Sequence, residues 1–420
     1  MANSEQIKGA LAPYRCLDLT GELGLLCGKT LGDMGADVIK IEPPAGDPVR
    51  RLGPFLDGKP DPEKSLYWFA FNNNKRGVTL NLEDPEGQRI FKQLVAKADF
   101  VLETFKPGYL ESIGLSHTLI REVNPKLVLV SITPFGLTGP YSRYEASDLE
   151  IMAMSGCMAL TGDPGRPPLR VTFPQSYQWT GSYAAMASMV AHTKRRRTGE
   201  GEHVDVSAQA TMLWGFSHAH TFWDLNRTLE KRAGSFMTGR SLTGAKMRVF
   251  WPCKDGYLNF IIYGGEAGRK TNQALVEWMV SKGEAPDSLV AKDWASFNIE
   301  QVTQEEIDTM EAPIADFFAG VTKREFFEAV TGRGMLGYPV STSAEILDNP
   351  QLEARAFWQD VEHPELNRTL RYPGAFARFS EFPCTIVRRA PLIGEHNEEV
   401  YGELGLSSKE LGQLKQRGVI

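Results

Sequence analysis

The chain has 420 residues, 42% of them hydrophobic, and carries 46 Lys and Arg against 52 Asp and Glu for a formal charge of −6. That length exceeds the roughly 250 to 300 residues at which single cores stop growing, so two folding units are expected. The acidic balance excludes a nonspecific nucleic-acid binder, and no window approaches the ~20 apolar residues of a membrane-spanning helix.

In chain order, residues 1–11 show no apolar run behind a basic stretch, which predicts a soluble cytoplasmic protein. Residues 14–20 read as a buried strand, 23–34 as a glycine-punctuated helix and 36–42 as a second strand, together a parallel βαβ unit. The glycines Gly21, Gly24, Gly28 and Gly32 do not spell GxGxxG, so helix-on-sheet packing accounts for them better than a nicotinamide site. A strand over 77–82 follows, then a helix with Asp84 as N-cap and Pro85 at its first position, and strands over 100–103 and 127–132. This alternation predicts an α/β fold with a doubly wound, largely parallel sheet, whose ligands collect beyond the carboxyl ends of the strands.

Beyond the turn-dense stretch 161–168, a long helix spans 178–197 with Trp179, Tyr183, Met186, Met189 and Val190 on one face. Its last turn, Lys194-Arg195-Arg196-Arg197, precedes Gly199, and a helix C-terminus favours such a basic run without any ligand. Composition changes over 226–344, the candidate smaller domain, and a short helix over 408–416 closes the chain. The five cysteines, Cys16, Cys27, Cys157, Cys253 and Cys384, are scattered without CxxC or nearby His, so neither disulfides nor a metal site is expected. Cys157 reads as a buried small hydrophobe rather than a nucleophile.

A set of ordered segments carries a further signal. These are Gly35-Ala36-Asp37-Val38-Ile39-Lys40-Ile41-Glu42-Pro43-Pro44, Gly46-Asp47, Asn72-Asn73-Asn74-Lys75-Arg76-Gly77 and Glu103-Thr104-Phe105-Lys106-Pro107-Gly108. They continue with Thr198-Gly199-Glu200-Gly201, Val204-Asp205-Val206-Ser207, Lys254-Asp255-Gly256-Tyr257, Pro391-Leu392-Ile393-Gly394-Glu395-His396 and Leu404-Gly405-Leu406-Ser407. In this order they resemble the family III CoA-transferases, the formyl-CoA and carnitine CoA-transferase group. The resemblance implies a large domain built from 1–225 and a return segment 345–420, a small domain over 226–344, and two chains interlocked as a dimer. It implies coenzyme A thioesters as substrates and no tightly bound cofactor. By position, adenosine and phosphate contacts fall around Ile41, Pro43, Lys75, Arg76, Thr104 and Phe105. Lys75 and Arg76 sit just before a strand, where exposed cations can meet phosphate; for Arg76 a solvated turn is the alternative. Pro43, Thr104 and Ser112 replace an Arg, an Asn and an Arg of the formyl-CoA transferase pattern.

The family's nucleophile is an Asp, which forms a mixed anhydride and then an aspartyl-CoA thioester, so that the acyl group stays activated. It lies four residues before a Gly near the start of the long helix and at a fixed distance before Thr-Gly-x-Gly. Both distances fall on Tyr177, and Pro174-Gln175-Ser176-Tyr177-Gln178-Trp179-Thr180-Gly181 holds no acid. Of the acids nearest in sequence, Asp163 belongs to turn chemistry and Asp148 stands where a helix N-cap belongs. The resemblance is therefore to the noncatalytic chain of a heteromer. There a homologous Asp-bearing partner moves CoA from a donor such as succinyl-CoA to (R)-benzylsuccinate or a similar aryl-substituted dicarboxylate. A loop containing Gly239, Arg240 and Gly244 is the segment that covers the neighbour's site, with Arg240 meeting a dicarboxylate or standing as an exposed cation. An acyl-CoA racemase or isomerase, or a CoA-thioester-binding pseudoenzyme, shares the fold, although none of His117, His192, His203, His218 and His220 sits in a motif matching a racemase base.

Overall fold

The computed structural model describes residues 9–420; the expectation drawn from residues 1–11 falls in part on residues 1–8, which lie outside the described residues. The chain divides into two units. One holds the described residues up to Met158 with Arg170–Thr228 and Gln351–Ile420; the other holds Ala159–Leu169 and Leu229–Pro350.

The first unit alternates strand and helix: β1 (Arg15–Leu19), α1 (Leu25–Asp33), β2 (Asp37–Glu42), α2 (Leu66–Phe71), β3 (Lys75–Thr79), α3 (Pro85–Val95) and β4 (Phe100–Glu103). It continues through α4 (Tyr109–Ser112), α5 (His117–Val123), β5 (Val128–Thr133), α6 (Asp148–Met154), α7 (Gln175–Thr198), β6 (Glu202–Ser207), α8 (Ala208–Gly215) and α9 (Ser217–Asn226). All pairings in its six-stranded sheet are parallel, in the order β3-β2-β1-β4-β5-β6. Successive side chains point to opposite faces. Leu17, Ile39, Val101 and Leu129 thus meet Ile90, Phe91 and Leu94 of α3 on one side. Cys16, Val38, Phe100, Leu102 and Val130 meet Cys27, Leu31, Ala184 and Ala185 of α1 and α7 on the other. Both faces are covered, as parallel sheets require, and order reverses between β1 and β4, where a crevice opens past the strand ends.

The small-residue face of α7 is the one that packs inward. Ser176, Thr180, Gly181, Ala184, Ala185, Ser188 and Ala191 are buried, while Met186 and Val190, on the apolar face singled out in the sequence, are exposed. Gly181 permits this approach, because a Cβ there would stand 2.9 Å from Cβ of Leu26. At its end Gly199 takes the left-handed cap at φ 79°. Arg195 pairs with Asp99 at 3.0 Å, consistent with a basic run that needs no ligand.

The tail closes the outer edge of the sheet. His396 N donates to Gly77 O (2.9 Å), Gly77 N to His396 Nδ1 (3.1 Å), Thr79 N to Asn397 Oδ1 (2.9 Å) and Tyr401 Oη to Thr79 O (2.7 Å). An edge strand whose backbone groups are matched in this way no longer offers a template for aggregation. The second unit sets a three-stranded antiparallel sheet, Phe250–Cys253, Gly256–Asn259 and Tyr338–Pro339, beside helices Gly265–Lys282, Gln304–Ala319 and Lys323–Arg333. Its core is aromatic, with Trp251, Phe260, Trp278, Phe317, Phe318 and Phe326.

Candidate functional site

The crevice at the β1/β4 switch is a cleft of about 620 Å³. The loop after β1 contributes Gly21 and Glu22, the end of β2 Ile41 to Pro44, the stretch after β3 Leu80 to Glu83, and the loop after β4 Thr104 and Phe105. Gly21 N donates to Thr104 Oγ1 at 2.7 Å and ties the two switch loops together. Glu103 shapes the second loop, accepting from Phe105 N at 2.7 Å while its other oxygen lies 3.4 Å from His117 Nε2. That hydrogen bond is the main cause of a raised His117 pKa. Gly87 of α3 holds the stretch after β3 in place, since a Cβ there would come within 1.9 Å of Asn81 O.

Four of the expected contact residues, Ile41, Pro43, Thr104 and Phe105, thus share one cleft. Lys75 and Arg76, the other two expected contacts, do not line it. They open β3 rather than precede it, and strand pairing turns both inward. Lys75 Nζ is fully buried and donates to Asp18 Oδ2 (2.8 Å), Leu25 O (3.1 Å) and Asn72 Oδ1 (3.1 Å), so its three protons are all committed. Burial alone would raise Asp18, but Lys75 and Lys40 outweigh it and hold that carboxyl below its ordinary value. Arg76 binds Asp37 through Nε (2.9 Å) and Nη2 (2.6 Å), and Glu399 (2.9 Å) and Glu403 (2.7 Å) through Nη1. It is neither a solvated turn nor a free cation.

Tyr177 lies in the first turn of α7, with its ring against the cluster of Ile151, Met152, Cys157, Ala208 and Met212. Its hydroxyl oxygen accepts from Asp148 N at 3.0 Å. Burial first, and then the negative charge of Glu22, push the phenol up to about 12, so it stays protonated and non-nucleophilic at neutral pH. Asp148 is not the N-cap of α6; Ser147 is, in a capping box with Glu150. Asp148 Oδ1 instead accepts from Ser176 N (2.9 Å) and Ser176 Oγ (2.8 Å), anchoring the start of α7. A carboxylate committed to two donors in the fold is a structural tie rather than a substitute nucleophile.

Glu22 was missed in the sequence. Desolvation raises its carboxyl above the ordinary value, with an opposing contribution from the Tyr67 hydroxyl, and its charge acts on both Tyr177 and Tyr67. The available signal was its place in the loop directly after the first strand. Gly239 and Gly244, at φ 76° and 82°, and the exposed Arg240 lie in the second unit. There Ser241 Oγ donates to Val302 O at 2.8 Å and fixes the loop between them. Among the described residues, no cluster of His, Cys, Asp and Glu could hold a metal ion and no helix is long and apolar enough to cross a membrane.

A family model described as CoA-transferase family III matches residues 11–397. The chain is 34% identical over 408 residues to the succinyl-CoA:(R)-benzylsuccinate CoA-transferase subunit BbsE of Thauera aromatica, covering 97% of each chain. It is 29% identical over 422 residues, all of both chains, to the succinyl-CoA–D-citramalate CoA-transferase of Chloroflexus aurantiacus. Among solved structures, a CAIB/BAIF family protein from Brucella suis superposes with a TM-score of 0.81 at 28% identity, covering 95% of this chain and 100% of that one.

Proposed function

The chain belongs to CoA-transferase family III, whose members act on CoA thioesters, and from that premise we propose that it is the noncatalytic subunit of a cytoplasmic heteromeric CoA-transferase. In this reading a homologous chain supplies the Asp. CoA moves from a donor such as succinyl-CoA to (R)-benzylsuccinate or a related aryl-substituted dicarboxylate. The observation that carries the proposal is Tyr177: a protonated, half-buried phenol at the start of α7, with the nearby Asp148 tied to Ser176. A neutral phenol cannot form the activated anhydride that the transfer needs.

The chain's own surface supports a protein partner. Helix α9 has no buried residue, yet it carries Phe222, Trp223 and Leu225, and the preceding Trp214 is 73% exposed. Met186 and Val190 of α7 are exposed as well, and exposed large apolar residues, where they cluster, mark interaction surfaces. A second, homologous chain interlocked with this one is the occupant that the family resemblance supplies. Likeness to a relative named as a subunit supports the choice of partner and of acceptor.

The test is CoA transfer from succinyl-CoA to (R)-benzylsuccinate, measured with the purified chain alone and after assembly with an Asp-bearing homologue. Activity only in the assembly is expected, with the acyl adduct recovered on the partner. Turnover by the chain alone, with an adduct on one of its own side chains, overturns the proposal.

A further inference from the structure

Four ionisable acids line the cleft, Glu22, Glu42, Asp47 and Glu83, and no Lys or Arg lines it. Two of the four are neutralised within the fold. Glu42 binds Arg50 through Nε (2.6 Å) and Nη2 (2.8 Å), and Asp47 lies 3.0 Å from Lys40 Nζ. Both cations are buried and bound to partners within the fold. Arg50 also binds Glu63 (2.7 Å) and Pro391 O (2.9 Å), and Lys40 also donates to Thr20 O. The other two acids form no ion pair among the described residues; Glu83 only accepts from Tyr109 Oη at 3.1 Å.

Coenzyme A carries a 3′-phosphate of about −1.5 to −2 charge near neutral pH, and a pyrophosphate besides. Phosphates are held by Arg or Lys, by charge-assisted hydrogen bonds or by converging backbone N–H groups. Here they would meet two carboxylates that no cation among the described residues pairs with. A like-charge contact of this kind opposes binding, and more strongly near a protein surface than in open water. The apolar walls from Ile41, Pro43 and Phe105 retain a shape for a flat base, while the charges oppose what is attached to it.

We infer that this cleft excludes coenzyme A, with Glu22 and Glu83 as the residues that set the exclusion, so that the heteromer loads CoA on the partner chain alone. The inference rests on the family reading above and extends it from a missing nucleophile to a missing cofactor site.

The test uses a photoreactive aryl-azide analogue of CoA on the protein purified with whatever partner it carries, followed by peptide mapping. Labelling is expected outside this chain's segments 41–49, 80–83 and 104–109. Glu22→Gln, Glu83→Lys and the double variant, each checked to melt no lower than the parent, should raise labelling of those segments, about tenfold for the double variant if one contact of roughly 1.4 kcal/mol is relieved. Strong labelling of the parent cleft overturns the inference, as does a folded double variant that gains none. Parent labelling without turnover overturns only this inference, whereas turnover by the chain alone overturns the noncatalytic reading.

Discussion

Behind the cleft, Asp18, Lys40 and Lys75 form a buried cluster that Asp47 joins from the cleft wall, and every charge in it faces an opposite one, with Lys75 2.8 Å from Asp18 and Lys40 3.0 Å from Asp47. On the cleft surface, a few residues away along the same strands, Glu22 and Glu83 face no cation among the described residues. Burial enforces matching in the first place, since an unpaired buried ion costs several kcal/mol. A ligand would enforce it in the second. Unmatched charge at a cleft surface therefore describes the ligand that the site is not built to take.

The sharpest way to break this comparison is Lys75→Met. It strands Asp18 in the interior, and a loss of about 3–5 kcal/mol is expected in urea unfolding. A loss below about 1 kcal/mol would show that the cluster is not the matched core described here. A smaller effect separates Asp148, the acid held by two Ser176 donors, from Glu22, the acid at which desolvation dominates. Asp148→Ala leaves Ser176 N at the start of α7 without its acceptor, for an expected loss of about 1–2 kcal/mol in the same measurement. An unchanged midpoint would return Asp148 to the pool of available carboxylates.

Glu22→Gln should give the smallest effect and the opposite sign. The folded pKa of Glu22 is raised by desolvation, so its ionised form destabilises the fold above that pKa, and the penalty vanishes below the ordinary value of 4.5, where folded and unfolded chains are both protonated. A gain of about 0.5 kcal/mol is expected near pH 7, fading as the pH falls to 4.5. A loss at pH 7, or a gain independent of pH, would mean that Glu22 has a cationic partner after all.

Much of the fold was legible because its signals are local. Asp84 and Pro85 start α3 where the capping pattern put them, with Asp84 Oδ1 accepting from Glu86 N at 2.8 Å, and the helix Ser408–Gln416 falls on its expected bounds. Buried strands such as Phe100–Glu103 appear as short apolar runs because a parallel sheet covers both faces. The absence of an acid around residue 177 was likewise plain, since composition over eight residues needs no coordinates.

Sequence alone established the alternating α/β chain, the ordered motifs and the missing carboxylate. Only the tertiary structure decided what each charge faces. Lys75 and Arg76 read as exposed cations before a strand, but pairing with β2 turns them onto Asp18 and Asp37, partners 57 and 39 residues away. Glu22 reads as an ordinary loop acid until the switch between β1 and β4 sets it in a cleft near Tyr177. The physical reason is that a side chain's charge is fixed by its identity, whereas its role depends on what burial removes and what packing brings near.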